Sequence, residues 1–165
     1  MHSSIPLRDR RLRLRRSRGF TLIELIVAMV IAAILAAIAI PAYSSYVLKG
    51  HRTDAKSALL DLASLEERYF STQNVYTANA TQLGYSVATP PFPVGSGYYN
   101  ITAITLVAAT APTATTSGIP ATYSITATAI GNQLKDTCTT FTITSGGVES
   151  ATGSDPNANT DCWQQ

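Results

Sequence analysis

The sequence predicts an α+β protein in which a long N-terminal helix packs on a small antiparallel sheet of three to four strands. Three observations support this prediction. An apolar run at 20–40 continues into a pattern with helical periodicity, segments rich in threonine and β-branched residues follow residue 97, and two cysteines lie in the last part of the 165-residue chain. This length suffices for one membrane segment and one modest globular head.

The first 19 residues form a basic leader. They hold seven arginines and one aspartate, a net charge of 7 − 1 = +6, whereas residues 20–165 hold 5 basic and 9 acidic groups, a net charge of 5 − 9 = −4. Because basic flanks stay cytoplasmic, the chain after the apolar segment is predicted to lie outside the membrane. Its few cations are scattered, so we expect no specific nucleic-acid partner.

The apolar segment 20–40 has the length of a membrane span. Its 21 residues form about 31 Å of helix, which matches the hydrocarbon core of a bilayer. Twelve of them are Leu, Ile, Val or Phe, whose summed insertion free energy of about −4 to −7 kcal/mol outweighs a cost of roughly 3 kcal/mol for Glu24. The span should therefore insert despite its carboxylate.

Two alternatives to this interpretation remain open. A secretory signal peptide also has a basic region before an apolar one, but its apolar region is usually about 7–15 residues long and ends at a small-residue cleavage site. A plain single-span anchor explains the length and gives no reason for Glu24.

Helical periodicity persists beyond the span. Apolar residues recur at steps of three and four, as expected of an amphipathic helix with one buried stripe. These residues are Ala55, Ala58, Leu59, Leu62, Leu65 and Tyr69. One helix is therefore predicted over about 20–70, with a bend near Pro41 or Gly50. The predicted organisation is a leader at 1–19, a transmembrane helix at 20–43, and an amphipathic continuation with a globular head at 44–165.

The head is predicted from changes in composition after residue 70. Residues 71–97 are rich in turn formers and indicate a connection with one short helix near 78–83. Strands are predicted at 98–107, 121–130 and 138–144, where β-branched and aromatic residues lie between turn signals. The intervening segment 108–120 is predicted to be a mobile hairpin connection.

The two cysteines, Cys138 and Cys162, both lie in the part predicted outside the membrane. An oxidising exterior favours their pairing, which would close a loop of 25 residues and stabilise the head by about 3 kcal/mol. The alternative is a pair of buried free thiols.

Candidates for other chemistry are few. His51 is the only histidine after the leader and is interpreted as a solvated polar residue on a helix surface. Oxygen side chains recur at alternate positions near the C-terminus, as in a calcium loop, but the glycine and glutamate of such a loop are missing. These residues are Asp155, Asn157, Asn159 and Asp161. An Asx-rich turn is the preferred interpretation, and we predict no cofactor and no enzymatic activity.

The junction of leader and span carries the most specific motif in the chain. The string Gly-Phe-Thr-Leu-Ile-Glu at 19–24, after basic residues and before an apolar helix, resembles the processing motif of the type IV pilin superfamily. The segments 67–70, 74–77, 83–85 and 161–163 look like those of PilE-type minor pilins. The resemblance implies the pilin fold, with a long helix, a small sheet and a C-terminal disulfide loop.

The resemblance also implies roles for particular residues. Gly19 would be the last leader residue, cut by a prepilin peptidase, and Phe20 would become the N-methylated terminus. Glu24 would pair with the terminal amine of a neighbouring subunit during filament assembly. The implied partners are other pilin subunits, the processing enzyme, the inner membrane and its assembly platform, and the final location is an extracellular pilus.

The function that follows is that of a minor pilin. A major pilin and a secretion pseudopilin are alternatives within the superfamily. A membrane-tethered periplasmic binding protein and an exported enzyme with a cleaved signal are alternatives from other classes.

Overall fold

The computed structural model describes residues 19–111 and 118–164, so the predicted leader lies outside the described residues apart from Gly19. The chain divides into two compact units between Ile40 and Pro41.

The first helix, α1, spans Leu22–Gln73 and confirms the predicted long helix, which ends three residues later than expected. Pro41 and Gly50 both lie inside it, and a bend at either stays a prediction. The helix ends at Asn74, whose positive φ of 57° and N–H bond to the carbonyl of Phe70 (2.8 Å) form a left-handed C-terminal cap.

The sheet has five antiparallel strands in the order β1-β2-β3-β4-β5, one more than the upper limit predicted. The strands are β1 (Phe92–Val94), β2 (Tyr99–Val107), β3 (Thr122–Ala129), β4 (Cys138–Thr144) and β5 (Glu149–Gly153). The three central strands confirm the predicted ones within one residue at each end. The two edge strands were missed because β1 has only three residues, one of them Pro93, and β5 lacks β-branched and aromatic residues apart from Thr152.

The core lies between one face of the sheet and the second half of α1. Along β3 the side chains of Tyr123, Ile125 and Ala127 are buried, and the hydroxyl-bearing residues between them are only partly buried. They share one cluster with Leu59 and Leu62 of α1. The strand alternation and the helical stripe thus face each other, as the sequence pattern predicts.

The connections are short and locally capped. A 3₁₀ helix at Ala80–Leu83 confirms the predicted short helix, and a second at Gly131–Lys135 joins β3 to β4. A backbone pair between Thr110 and Ile119 extends the β2–β3 hairpin, while residues 112–117 lie outside the described part. The C-terminal helix α2 spans Ala158–Gln164.

Candidate functional site

The N-terminal junction is exposed and leads directly into α1. Within the described part of the chain, and apart from its two chain neighbours, no atom lies within 4 Å of a Cβ built on Gly19, and Phe20 is 83% exposed. Thr21 caps the helix, because its hydroxyl accepts a hydrogen bond from the N–H of Glu24 (3.3 Å). Thr21 and Glu24 have the spacing of a capping box, a local sequence pattern from which the start of the helix at this point can be predicted.

Every residue from Gly19 to Ile40 is exposed. The exposed residues include large apolar side chains on all sides of the helix, such as Ile23, Leu25, Met29 and Leu35. Helix α1 is long and apolar enough to cross a membrane by length and composition. So large an exposed apolar surface needs a lipid or protein environment around it.

In the second unit, an ion pair joins α1 to the β3–β4 connection. Arg52 donates from Nε and Nη2 to the two carboxylate oxygens of Asp136 at 2.8 and 2.6 Å, and both residues are buried. This bidentate contact raises the pKa of Arg52, chiefly through the hydrogen bond to Asp136. No local sequence pattern predicts this pair, because its members are 84 residues apart.

Gln133 extends the ion pair into a network. Its buried amide nitrogen donates to the carbonyl of Leu48 (2.9 Å), to Asp136 Oδ2 (3.0 Å) and to the hydroxyl of Tyr99 (3.1 Å). Burial raises the pKa of Tyr99 to about 12, and its hydroxyl donates to the carbonyl of Cys138 (3.1 Å). The network therefore ties α1, β2 and β4 together.

His51 belongs to this network and is not the freely solvated residue that the sequence suggested. Its Nδ1 lies 3.0 Å from Gln133 Oε1, and its ring stacks on that of Tyr98 with centroids 3.6 Å apart. Both contacts come from segments distant in the chain, which explains why local sequence reasoning missed them.

Cys138 and Cys162 form a disulfide, as predicted, with Cα atoms 5.9 Å apart. Trp163 beside it packs edge-on against Phe141 and donates from Nε1 to the carbonyl of Ser150 (2.8 Å). The bond thus holds α2 against β4 and β5.

The calcium candidates lie around the start of α2. Asp155 Oδ1 accepts from the N–H of Asn157 (2.9 Å), an Asx turn, and Asn159 Oδ1 accepts from the N–H of Ala151 (3.0 Å). Asp161 Oδ1 lies 3.4 Å from the hydroxyl of Thr160. These contacts use the oxygens as acceptors within the protein, and calcium binding stays the less favoured, untested alternative to the Asx-rich turn.

Glu66 is a buried acid that the sequence did not single out. Its Oε2 accepts from the N–H of Thr77 (3.1 Å), while no partner is found for Oε1 among the described residues. Burial raises the pKa of Glu66 above the ordinary value.

An exposed apolar helix followed by an α+β head that a disulfide closes is the arrangement of the pilin class of proteins. Residues 41–142 match the family described as "Type IV minor pilin ComP, DNA uptake sequence receptor", and residues 14–40 match the "Prokaryotic N-terminal methylation motif". The chain belongs to the type IV pilins, in the ComP minor pilin family.

Individual relatives agree with the assignment to the type IV pilins, although the two described here are major pilins. The chain is similar to the type IV major pilin PilA of Myxococcus xanthus, with 38% identity over 71 residues, 43% of this chain and 32% of the relative. It is 35% identical over 81 residues to the major pilin PilE1 of Neisseria gonorrhoeae, 49% of this chain and 48% of the relative. The chain thus spans between a third and a half of the length of these curated relatives.

One solved structure is also similar. A type IV pilin from Shewanella oneidensis is 26% identical, with 72% of this chain and 99% of that chain covered and a TM-score of 0.41.

Proposed function

We propose that this chain is a minor structural subunit of a type IV pilus. It enters the inner membrane as a prepilin, is cleaved between Gly19 and Phe20, is N-methylated on Phe20, and joins the filament through its N-terminal helix. The observation that carries this proposal is the junction, where an exposed Gly-Phe peptide precedes a capped helix that is apolar and exposed on all sides.

The exposed carboxylate of Glu24 supports the assembly step. A lone carboxylate near the end of a span is costly, and pairing with the terminal amine of a neighbour offsets the desolvation of both groups. Glu24 lies in the first turn of α1, four residues from the amine that cleavage would create at Phe20. The axial register of one subunit against the next is then set by this pair.

Variants at Gly19 test the processing step. We expect Gly19→Arg to block cleavage, because a bulky charged side chain at the scissile bond obstructs the peptidase, and Gly19→Ala, the matched control, to mature or to be only slowed. Maturation of Gly19→Arg to the normal mass would show that the cleavage site is assigned wrongly.

The abundance of this chain in sheared filaments distinguishes a minor pilin from a major pilin. A minor pilin should be a small fraction of the protein in sheared filaments, and a major pilin the dominant one. A membrane-tethered binding protein would be missing from the filaments and would remain with the membrane.

DNA binding is a second candidate, carried by the description of the family as a DNA uptake sequence receptor. The charge of the second unit does not favour non-specific binding, since residues 41–165 hold 5 basic and 8 acidic groups, a net charge of 5 − 8 = −3. Arg52 is also committed to Asp136. Titration of labelled duplex DNA at several salt concentrations tests this candidate, and the absence of salt-sensitive binding would reject it.

A further inference from the structure

We propose that a cleft in the second unit binds the headgroup of phosphatidylglycerol while the subunit resides in the membrane. The cleft has a volume of about 570 Å³ and is lined, among others, by Tyr43, Ser45, His51, Tyr98, Asn132 and Lys135. This inference rests on the membrane insertion proposed above.

The lining of the cleft begins close in the chain to the apolar segment. Its first lining residue, Tyr43, lies three residues after Ile40, the last residue of the apolar segment. At a rise of about 1.5 Å per residue, Tyr43 is about 5 Å and Leu48 about 12 Å along α1 from Ile40. The headgroup zone of a bilayer is about 5–8 Å deep on each side, so a residue as close in the chain to the apolar segment as Tyr43 falls within that depth.

The lining offers one positive charge for the phosphate. Lys135 is exposed on the cleft wall, and no ion pair or hydrogen bond of its ammonium is found among the described residues. Asn132 beside it has a free side-chain amide within the same described part. A single phosphodiester fits a site with one lysine and neutral hydrogen-bonding groups.

The lining also offers acceptors for the hydroxyls of the glycerol. The carbonyl of Leu48 and Asp136 Oδ2 can only accept, so the amide nitrogen of Gln133 faces them and its Oε1 faces His51. Nδ1 of His51 is then the donor to Oε1, and in the neutral tautomer of the ring Nε2 keeps its lone pair as an acceptor. The hydroxyls of Ser44 and Ser45 donate to the carbonyl of Pro41 (2.9 and 3.1 Å) and keep their own lone pairs.

Aromatic rings complete the site in a way suited to a membrane surface. Tyr43 is 71% exposed and Tyr98 stacks on His51, and tyrosine is enriched at the headgroup level of bilayers. Tyr46, outside the cleft lining, is 76% exposed in the same helical segment. The net charge of −3 for residues 41–165 disfavours a polyanion such as DNA as the ligand of the cleft.

The full-length processed chain, reconstituted in phosphatidylcholine vesicles with and without phosphatidylglycerol, provides the test. A photoreactive group on the headgroup of either lipid labels the protein, and the labelled peptides are mapped by mass spectrometry. Lys135→Gln is compared with Lys49→Gln, because Lys49 is exposed near the cleft and does not line it. We expect phosphatidylglycerol to label cleft residues, Lys135→Gln to lower this labelling about fivefold, and Lys49→Gln to leave it unchanged.

Several results would overturn the proposal: equal labelling by the two lipids, equal losses in the two lysine variants, or displacement of the label by duplex DNA. Flotation of the same samples with the vesicles tests insertion separately. A chain that floats without cleft labelling refutes the headgroup site alone, and a chain that does not float refutes the proposed membrane insertion as well.

Discussion

At the scale of single residues, Glu66 shows how burial sets the behaviour of one acid. The carboxyl is fully buried with one oxygen hydrogen-bonded to Thr77 N–H, and its pKa is raised because burial disfavours the charged form. The protonated form is therefore favoured more in the folded than in the unfolded state. Its contribution to stability is complete at pH below the ordinary glutamate value and is lost as the pH rises through the raised pKa.

We predict that Glu66→Gln, which resembles the protonated form, removes the loss of stability that wild type shows as the pH rises. Thermal unfolding of the full chain in detergent, measured between about pH 5 and pH 8, should show the melting temperature of wild type falling relative to Glu66→Gln as the pH rises. Glu149→Gln, an exposed control at the start of β5, should follow wild type. Parallel curves for wild type and Glu66→Gln would contradict the raised pKa of Glu66.

A second prediction at the scale of single residues concerns Gly153. A Cβ at this position would lie 1.9 Å from the backbone oxygen of Thr137, which has little freedom to move. Gly153→Ala should destabilise the head by about 1–3 kcal/mol or more, the usual cost of overpacking. For Gly146→Ala, the matched control, the nearest atom is 3.9 Å away, and no comparable loss is expected in urea unfolding. Equal midpoints for the two variants would refute the clash.

At the scale of elements, the C-terminal segment depends on the disulfide. The bond joins β4 to α2, and Val148 is the only large aliphatic residue between these two elements. The structure nevertheless forms β5 there, with Ala151 and Ala158 buried. The pairing of β5 with β4 and the disulfide thus both stabilise this segment.

Cys138→Ser should lower the free energy of unfolding by about 2–5 kcal/mol, since the open chain gains conformational entropy when unfolded. The change is measured by urea unfolding under non-reducing conditions, with reduced wild type as the matched comparison. Unfolding of the mutant at the wild-type midpoint would mean that the bridge does not stabilise the head.

The elements also show which parts of the fold local sequence can predict. Helix α1 and the strands β2 to β4 carry their periodicity in their own residues, so their bounds were predicted closely. Strand β5 forms because it pairs with the edge of β4, for example at Phe141 and Ala151. The residues of β5 have little strand propensity of their own, so local sequence does not predict it.

The candidate site also contains some features that local sequence predicts and others that it does not. The junction at Gly19 and Phe20 is a local motif and was visible in the sequence, as was the Thr21 cap. The ion pair of Arg52 with Asp136 and the contact of His51 with Gln133 join residues 84 and 82 positions apart, so only the folded chain brings them together.

At the scale of the whole molecule, the proposed assembly depends on an apolar helix whose surface is exposed in the single subunit. Glu24→Val should leave insertion and cleavage intact, because the span becomes more apolar, and should strongly reduce recovery in sheared pili. Glu24→Asp, which retains a carboxylate, should keep part of that recovery. Normal recovery of Glu24→Val without wild-type subunits would count against the pairing with a neighbour's amine.

The central claim is that the chain is a processed pilus subunit, and its N-terminus in sheared filaments tests that claim most directly. Mass spectrometry of the N-terminal peptide should show that the chain begins at N-methylated Phe20. A chain that begins at Met1, or after residue 40, would contradict the account, because the first is an unprocessed anchor and the second a secreted product.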